Sequence, residues 1–154
     1  MARPVRITVV GAGRCDTATA SIAERVGSEI ARRGGVVICG GLGGVMEAAA
    51  RGARGAGGLT VGILPGNSAE DANDYIEVPI PTDMGHARNV INVRAADAVI
   101  GVGGSLGTVS EIALAVKMGI PVFAISPPFT CDGIVEVDTP EEAVELAFAA
   151  AGRR

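Results

Sequence analysis

Short apolar runs alternate with segments of helical period along almost the whole chain, and glycine stands at nearly every joint. No other feature constrains the fold as much. Runs 5–10 (VRITVV), 36–39 (VVIC), 59–64 (LTVGIL), 97–102 (DAVIGV), 121–125 (PVFAI) and 133–137 (GIVEV) read as strands. Between them, Ile22, Val26 and Ile30 recur on one helical face. Residues 45–58, 85–96 and 108–118 and the segment from Pro140 read as further helices. Pro140 suits a first helical turn, where Glu141 and Glu142 complement the helix dipole. Residues 67–74 form a polar loop, and Pro79 limits a short strand at 75–80 to a sheet edge or a strand end. Strands without polar alternation need cover on both faces. The expected architecture is therefore α/β: one domain over residues 1–154, a doubly wound, mostly parallel sheet with helices on both faces.

Composition agrees with this and excludes several functions. Hydrophobic residues make up 48% of the 154 positions while aromatics make up 3%, so Val, Ile, Leu and Ala must build the core. The net charge of −4 is spread without blocks, which argues against nucleic acid and membrane surfaces as partners. The first residues, MARPVRITVVGAG, lack a secretory h-region, and no apolar stretch of ~20 residues appears. Cys15, Cys39 and Cys131 are odd in number and far apart, as expected of reduced thiols in a cytoplasmic protein without a metal site.

Three glycine-rich loops fall at strand ends: GAGR (Gly11, Gly13), GGLGG (Gly40, Gly41, Gly43, Gly44) and GGSLGT (Gly103, Gly104, Ser105, Gly107, Thr108). Ligands of open α/β sheets bind beyond the carboxyl ends of the strands. Glycine there admits close approach of an anion, and the following helix N-terminus offers free N–H groups. GAGR alone reads equally well as a tight turn. GAGRCDTA departs from G-x-G-x-x-G because Asp16 stands sixth, and no Gly-Lys-Ser/Thr phosphate loop occurs. GGLGG and GGSLGT together point to a site for a phosphorylated small molecule, with Thr108 starting its helix as a cap or a phosphate contact.

The stretches GGLGGVMEAAARGARGAGGLTVGILP and GGSLGTVSEI resemble the paired motifs of the Rossmann-type family that carries a lysine decarboxylase label. That family includes the LONELY GUY phosphoribohydrolases and the molybdenum cofactor carrier proteins, and the likeness spans roughly residues 5–125. It implies a Rossmann-like fold and a homodimer or homotetramer. The decarboxylase label has no support in the chain, whose sole lysine is Lys117. HAR (86–88), Arg94 and Glu111 match the LONELY GUY pattern, in which the counterparts of Arg88 and Glu111 serve catalysis. Asn89 replaces a lysine, Val102 replaces a proline, and Ser105-Leu106 lengthens the loop by one residue. The longer loop and the small size resemble the carrier branch more closely.

Two side chains are thus the leading candidates. Arg88 suits a bidentate phosphate clamp, against a surface ion pair as the plain alternative. Glu111 suits a ribose contact or acid–base role, against a capping-box contact to Thr108. His86, alone of its kind, makes no metal site, and Met84 and Met118 read as packing residues. The expected function is binding of an AMP-like nucleotide or a molybdenum-cofactor-type pterin, as carrier or as sensor, with no cofactor required. The alternative is a phosphoribohydrolase that splits a nucleoside 5′-monophosphate, with Arg88 and Glu111 catalytic.

Overall fold

The computed structural model describes residues 2–153. Seven strands form a single sheet: β1 (Arg6–Gly11), β2 (Val36–Cys39), β3 (Thr60–Leu64), β4 (Val78–Pro81), β5 (Ala98–Val102), β6 (Val122–Ile125) and β7 (Ile134–Glu136). Their order is β4-β3-β2-β1-β5-β6-β7, and every pairing is parallel. Order reverses between β1 and β5, where Ile7 to Gly11 register with Ala98 to Val102. Four α-helices lie between strands, α1 (Thr17–Arg32), α2 (Val45–Gly55), α3 (Arg88–Arg94) and α4 (Leu106–Lys117), and α5 (Pro140–Ala151) follows β7.

Strand alternation sorts the core into two layers. Ile7 and Val9 of β1 pack with Ala23, Val26 and Ile30 of α1, Ala49 of α2 and Val144 of α5. Val10 turns to the other face and packs with Val93 of α3 and Ile112 and Ala115 of α4. The helices α1 and α2 touch backbone to backbone: a Cβ on Gly27 would lie 1.9 Å from Ala49 O, and one on Gly52 equally close to Glu24 O.

Element boundaries differ from expectation where capping decides them. Asp16, which breaks the dinucleotide pattern, caps α1 by accepting the Thr19 N–H at 2.8 Å. The helix expected at 108–118 begins two residues earlier, with Ser105 at its N-cap. The helix expected at 85–96 is a 3₁₀ turn over Gly85–Ala87 followed by the short α3. The strand expected at 75–80 runs over Val78–Pro81 instead, because Asn73 Oδ1 accepts the Tyr75 N–H and holds that residue in a turn. Thr82 N–H bonds Leu64 O, so alternation aims the Pro79 and Pro81 nitrogens outward. Those two prolines remove donors from the free edge of β4 and discourage pairing with another chain.

Candidate functional site

All three glycine-rich loops gather at the carboxyl ends of β1, β2 and β5, around the point where strand order reverses. Loops 11–14 and 40–44 pack against each other through backbone. Val45 N–H donates to Ala12 O at 3.0 Å. Gly44 has φ +62°, and a Cβ there would lie 2.2 Å from Ala12 O. Asn73 braces the second loop, donating from Nδ2 to Leu42 O at 2.8 Å.

Between loop 11–14 and the start of α4 opens a cleft of about 160 Å³. Gly11 and Gly13 line one side, Ser105, Gly107 and Thr108 the other, and Arg88, Asn89 and Glu111 the inner wall, with Met46 and His86 completing it. A larger groove of about 430 Å³ lies between α1 and α2, away from the strand ends. Its arginines Arg25, Arg32 and Arg51 already pair with Glu141, Glu29 and Glu24. The smaller cleft holds the unspent chemistry.

Arg88 starts α3 and is buried, 8% exposed. Gly40 makes room for it: a Cβ there would lie 2.5 Å from Nη2. Nη1 donates to Asn89 Oδ1, Nη2 donates to Gly40 O at 3.5 Å, and Nε has no partner. Among the described residues Arg88 makes no ion pair, and burial pushes its pKa below the usual value for arginine. Glu111 is equally buried, on the second turn of α4, and accepts from Asn92 Nδ2 at 2.7 Å. Burial pushes its carboxyl up, against the opposing effects of the Asn92 bond and the nearby Arg88 charge. Beside them the Cys39 thiol is pushed up to about 11 by burial and stays neutral.

Helix α4 presents its N-terminus to the cleft. Its first intrahelical bond runs from Val109 N–H to Ser105 O, so the Leu106 and Gly107 N–H groups precede the ladder. A Cβ on Gly107 would meet nothing within 4 Å, so open space lies over this turn.

The expected residues separate into two groups. Gly11, Gly13, Arg88, Ser105, Gly107, Thr108 and Glu111 meet at the cleft. Gly40, Gly41, Gly43, Gly44, Gly103 and Gly104 do not line it; all but Gly103 serve close packing, and Gly103 supplies a φ of +57°. Gly41 lies against Leu64, Gly43 against Gly13 O and Gly104 against Thr108, while Gly103 N–H donates to Ile125 O at 2.9 Å. Thr108 is buried at the third helical position, where its hydroxyl accepts the Ser105 N–H at 3.1 Å. The capping-box alternative for Glu111 fails, because its carboxylate bonds Asn92. Met46, Asn73 and Asn92 were not singled out from the sequence. Asn92 carried a signal, standing one helical turn after Arg88 among apolar neighbours.

Among the described residues no group of three or more His, Cys, Asp or Glu side chains could hold a metal ion, and no helix is long and apolar enough to cross a membrane. The three cysteines form no disulfide.

Known proteins match most of its length in sequence or in structure. A protein of Archaeoglobus fulgidus, described only as an uncharacterized protein, is 52% identical over 145 residues, 94% of this chain and 95% of its own. The molybdenum cofactor binding protein of the phototrophic bacterium Rippkaea orientalis superposes with a TM-score of 0.90 at 36% identity, covering 96% of this chain and 97% of that one. The Moco carrier protein of Chlamydomonas reinhardtii superposes with a TM-score of 0.88 at 30% identity, over 99% and 100%. The SLOG cluster4 family model matches residues 4–151, and by that match over nearly its whole length the chain belongs to the SLOG cluster4 family.

Proposed function

We propose that the cleft holds the phosphoryl end of a molybdenum-cofactor-type pterin and that the protein carries this ligand without turning it over. One observation supports this most: Arg88 is a buried guanidinium with an unpartnered Nε and no ion pair, facing a helix N-terminus across the cleft. A buried, unsatisfied charged donor is costly unless an anion completes it. A phosphoryl group supplies the acceptor oxygens for Arg88 and for the Leu106 and Gly107 N–H groups. At about 160 Å³ the cleft is smaller than the ~300–1,000 Å³ usual for an enclosed ligand, so the pterin ring lies beyond its mouth. The carrier proteins of similar structure support the choice of a pterin over an AMP-like nucleotide.

Asn89 supports carriage over hydrolysis. Where the hydrolase pattern has a lysine, this amide is neutral, buried and bonded to Arg88 and Ser110. Native mass spectrometry of the purified protein should find a retained molybdopterin mass. An AMP-like mass would favour the nucleotide reading. Release of ribose 5-phosphate from AMP at about 1 s⁻¹ or faster, abolished in Glu111→Gln, would replace the carrier reading with the hydrolase. A homodimer or homotetramer in the cytoplasm completes the proposal. Exposed Val90 and Ile91 on α3 and Leu106 on α4 support association, and three unpaired thiols support a reducing compartment.

A further inference from the structure

Asn89 and Ser110 link the two halves of the cleft through hydrogen bonds whose directions are all determined. Ser110 Oγ has one proton, which it donates to Gly107 O at 2.8 Å. Toward Asn89 the hydroxyl can then only accept, and it does so from Asn89 Nδ2 at 3.3 Å. That leaves Asn89 Oδ1 for Arg88, whose Nη1 donates to it. The chain of bonds thus runs from the guanidinium on α3 to the first turn of α4. The amide at position 89 meets both demands, which neither the lysine of the hydrolase pattern nor an acidic residue could. Lysine cannot accept from a guanidinium, and aspartate cannot donate to the hydroxyl and would neutralise Arg88. Bonding of Ser110 to the carbonyl three residues back is common in helices. The bond to Asn89, across 21 residues of sequence, is not explained that way.

We propose that the Asn89–Ser110 pair is a positioning element that ties the Arg88 guanidinium to the first turns of α4, and so holds it where a phosphoryl group can bridge the two. This rests on the preceding reading of the cleft as a phosphoryl site. Both side chains act through Arg88, the charged group of the three. Asn89 is buried, whereas Ser110 is exposed, so Ser110→Ala removes the anchor without disturbing the core.

Inorganic phosphate, followed by ³¹P line broadening, tests the pair together with side-chain spectra of ¹⁵N-arginine-labelled protein. Wild type should broaden the phosphate signal and show a protected Arg88 Nε–H with distinct Nη signals. Asn89→Ala should weaken phosphate binding about two- to tenfold and average the Nη signals, since one net hydrogen bond is lost. Ser110→Ala should fall between, and Asn89→Asp should weaken binding further than Asn89→Ala. In an Arg88→Ala background, Asn89→Ala should have no added effect on what binding remains, whereas a residue with a merely structural role would weaken it further. Wild-type binding with Asn89→Ala and Ser110→Ala both unchanged would overturn the positioning role alone, as would unchanged Arg88 signals in both variants. A wild type that leaves the phosphate signal sharp would overturn the phosphoryl reading and the role with it.

Discussion

Gly40→Ala isolates the seat of Arg88. Gly40 has no positive φ, so the backbone accepts alanine and the substitution acts through volume alone. The new Cβ would lie 2.5 Å from Arg88 Nη2, 3.0 Å from its Cζ and 2.7 Å from Met46 Sδ. All three atoms belong to the ends of long side chains, which can move where backbone cannot. Stability should therefore fall by only about 1 kcal/mol, the low end for an overpacked core, or roughly 2–4 °C in melting temperature for a domain of this size. Arg88, however, has nowhere to retreat without leaving the inner wall of the cleft. Losing one charge-assisted hydrogen bond to a phosphoryl group removes about 1.5–3 kcal/mol, roughly a ten- to 150-fold loss of affinity. Calorimetric titration with AMP and with a molybdopterin compound, beside a thermal melt, measures both effects. Gly55→Ala is the control, since nothing lies within 4 Å of its Cβ position. If Gly40→Ala binds whichever ligand the wild type binds within twofold of wild-type affinity, Arg88 does not hold the anion and the argument from its seat fails.

Gly27→Ala should behave in the opposite way: its Cβ would lie 1.9 Å from the backbone Ala49 O, so α1 and α2 must separate, at a cost of about 3 kcal/mol or more in denaturant unfolding. A variant as stable as wild type would contradict that packing. Gly107→Val, with open space around its Cβ, should keep its melting temperature within a few degrees yet lose at least about tenfold in phosphate affinity, and equal affinity would remove this turn from the site. Glu111 carries a raised carboxyl pKa, so its contribution to folding is full below the unfolded value near 4.3 and is lost as pH rises through the folded value. An anion beside it raises that value further, so phosphate binding should take up a proton. Calorimetry in two buffers of different ionisation enthalpy, with wild type and Glu111→Gln compared so that the ionisation of phosphate itself cancels, reads this; equal proton uptake by the two proteins would refute it. Asp97, at the other end of the sheet, accepts from Arg3 Nη1 and Nη2 at 2.7 Å and from the Arg6 N–H at 2.9 Å, which hold its carboxyl well below the usual range. Its stabilisation is present above about pH 4 and fades as pH falls, so Asp97→Asn should flatten the acid limb of a melting-temperature profile; parallel limbs would exclude it.

The parallel sheet was legible in the chain because strands buried on both faces need apolar runs, and VVIC, AVIGV and VFAI leave no polar alternation to a solvent face. The glycines at the strand ends likewise marked the carboxyl edge as the place for a site, and the motif likeness singled out Arg88 and Glu111, which the fold brings to one cleft. Local sequence could not decide where α4 begins, since Ser105 and Thr108 compete as caps three residues apart and the bond from Ser105 N–H to Thr108 Oγ1 settles it. Nor could it tell a glycine beside a ligand from one beside another loop. Gly44 and Gly107 carry the same side chain, yet the first lies against Ala12 O and the second faces open space. That difference is a matter of volumes between distant segments. The same holds for Arg88 against Gly40, 48 residues away, and for Asn89 against Ser110, 21 away. Spacing along the chain sets which faces side chains share, but only the packing of α3 against α4 and β2 decides which groups meet.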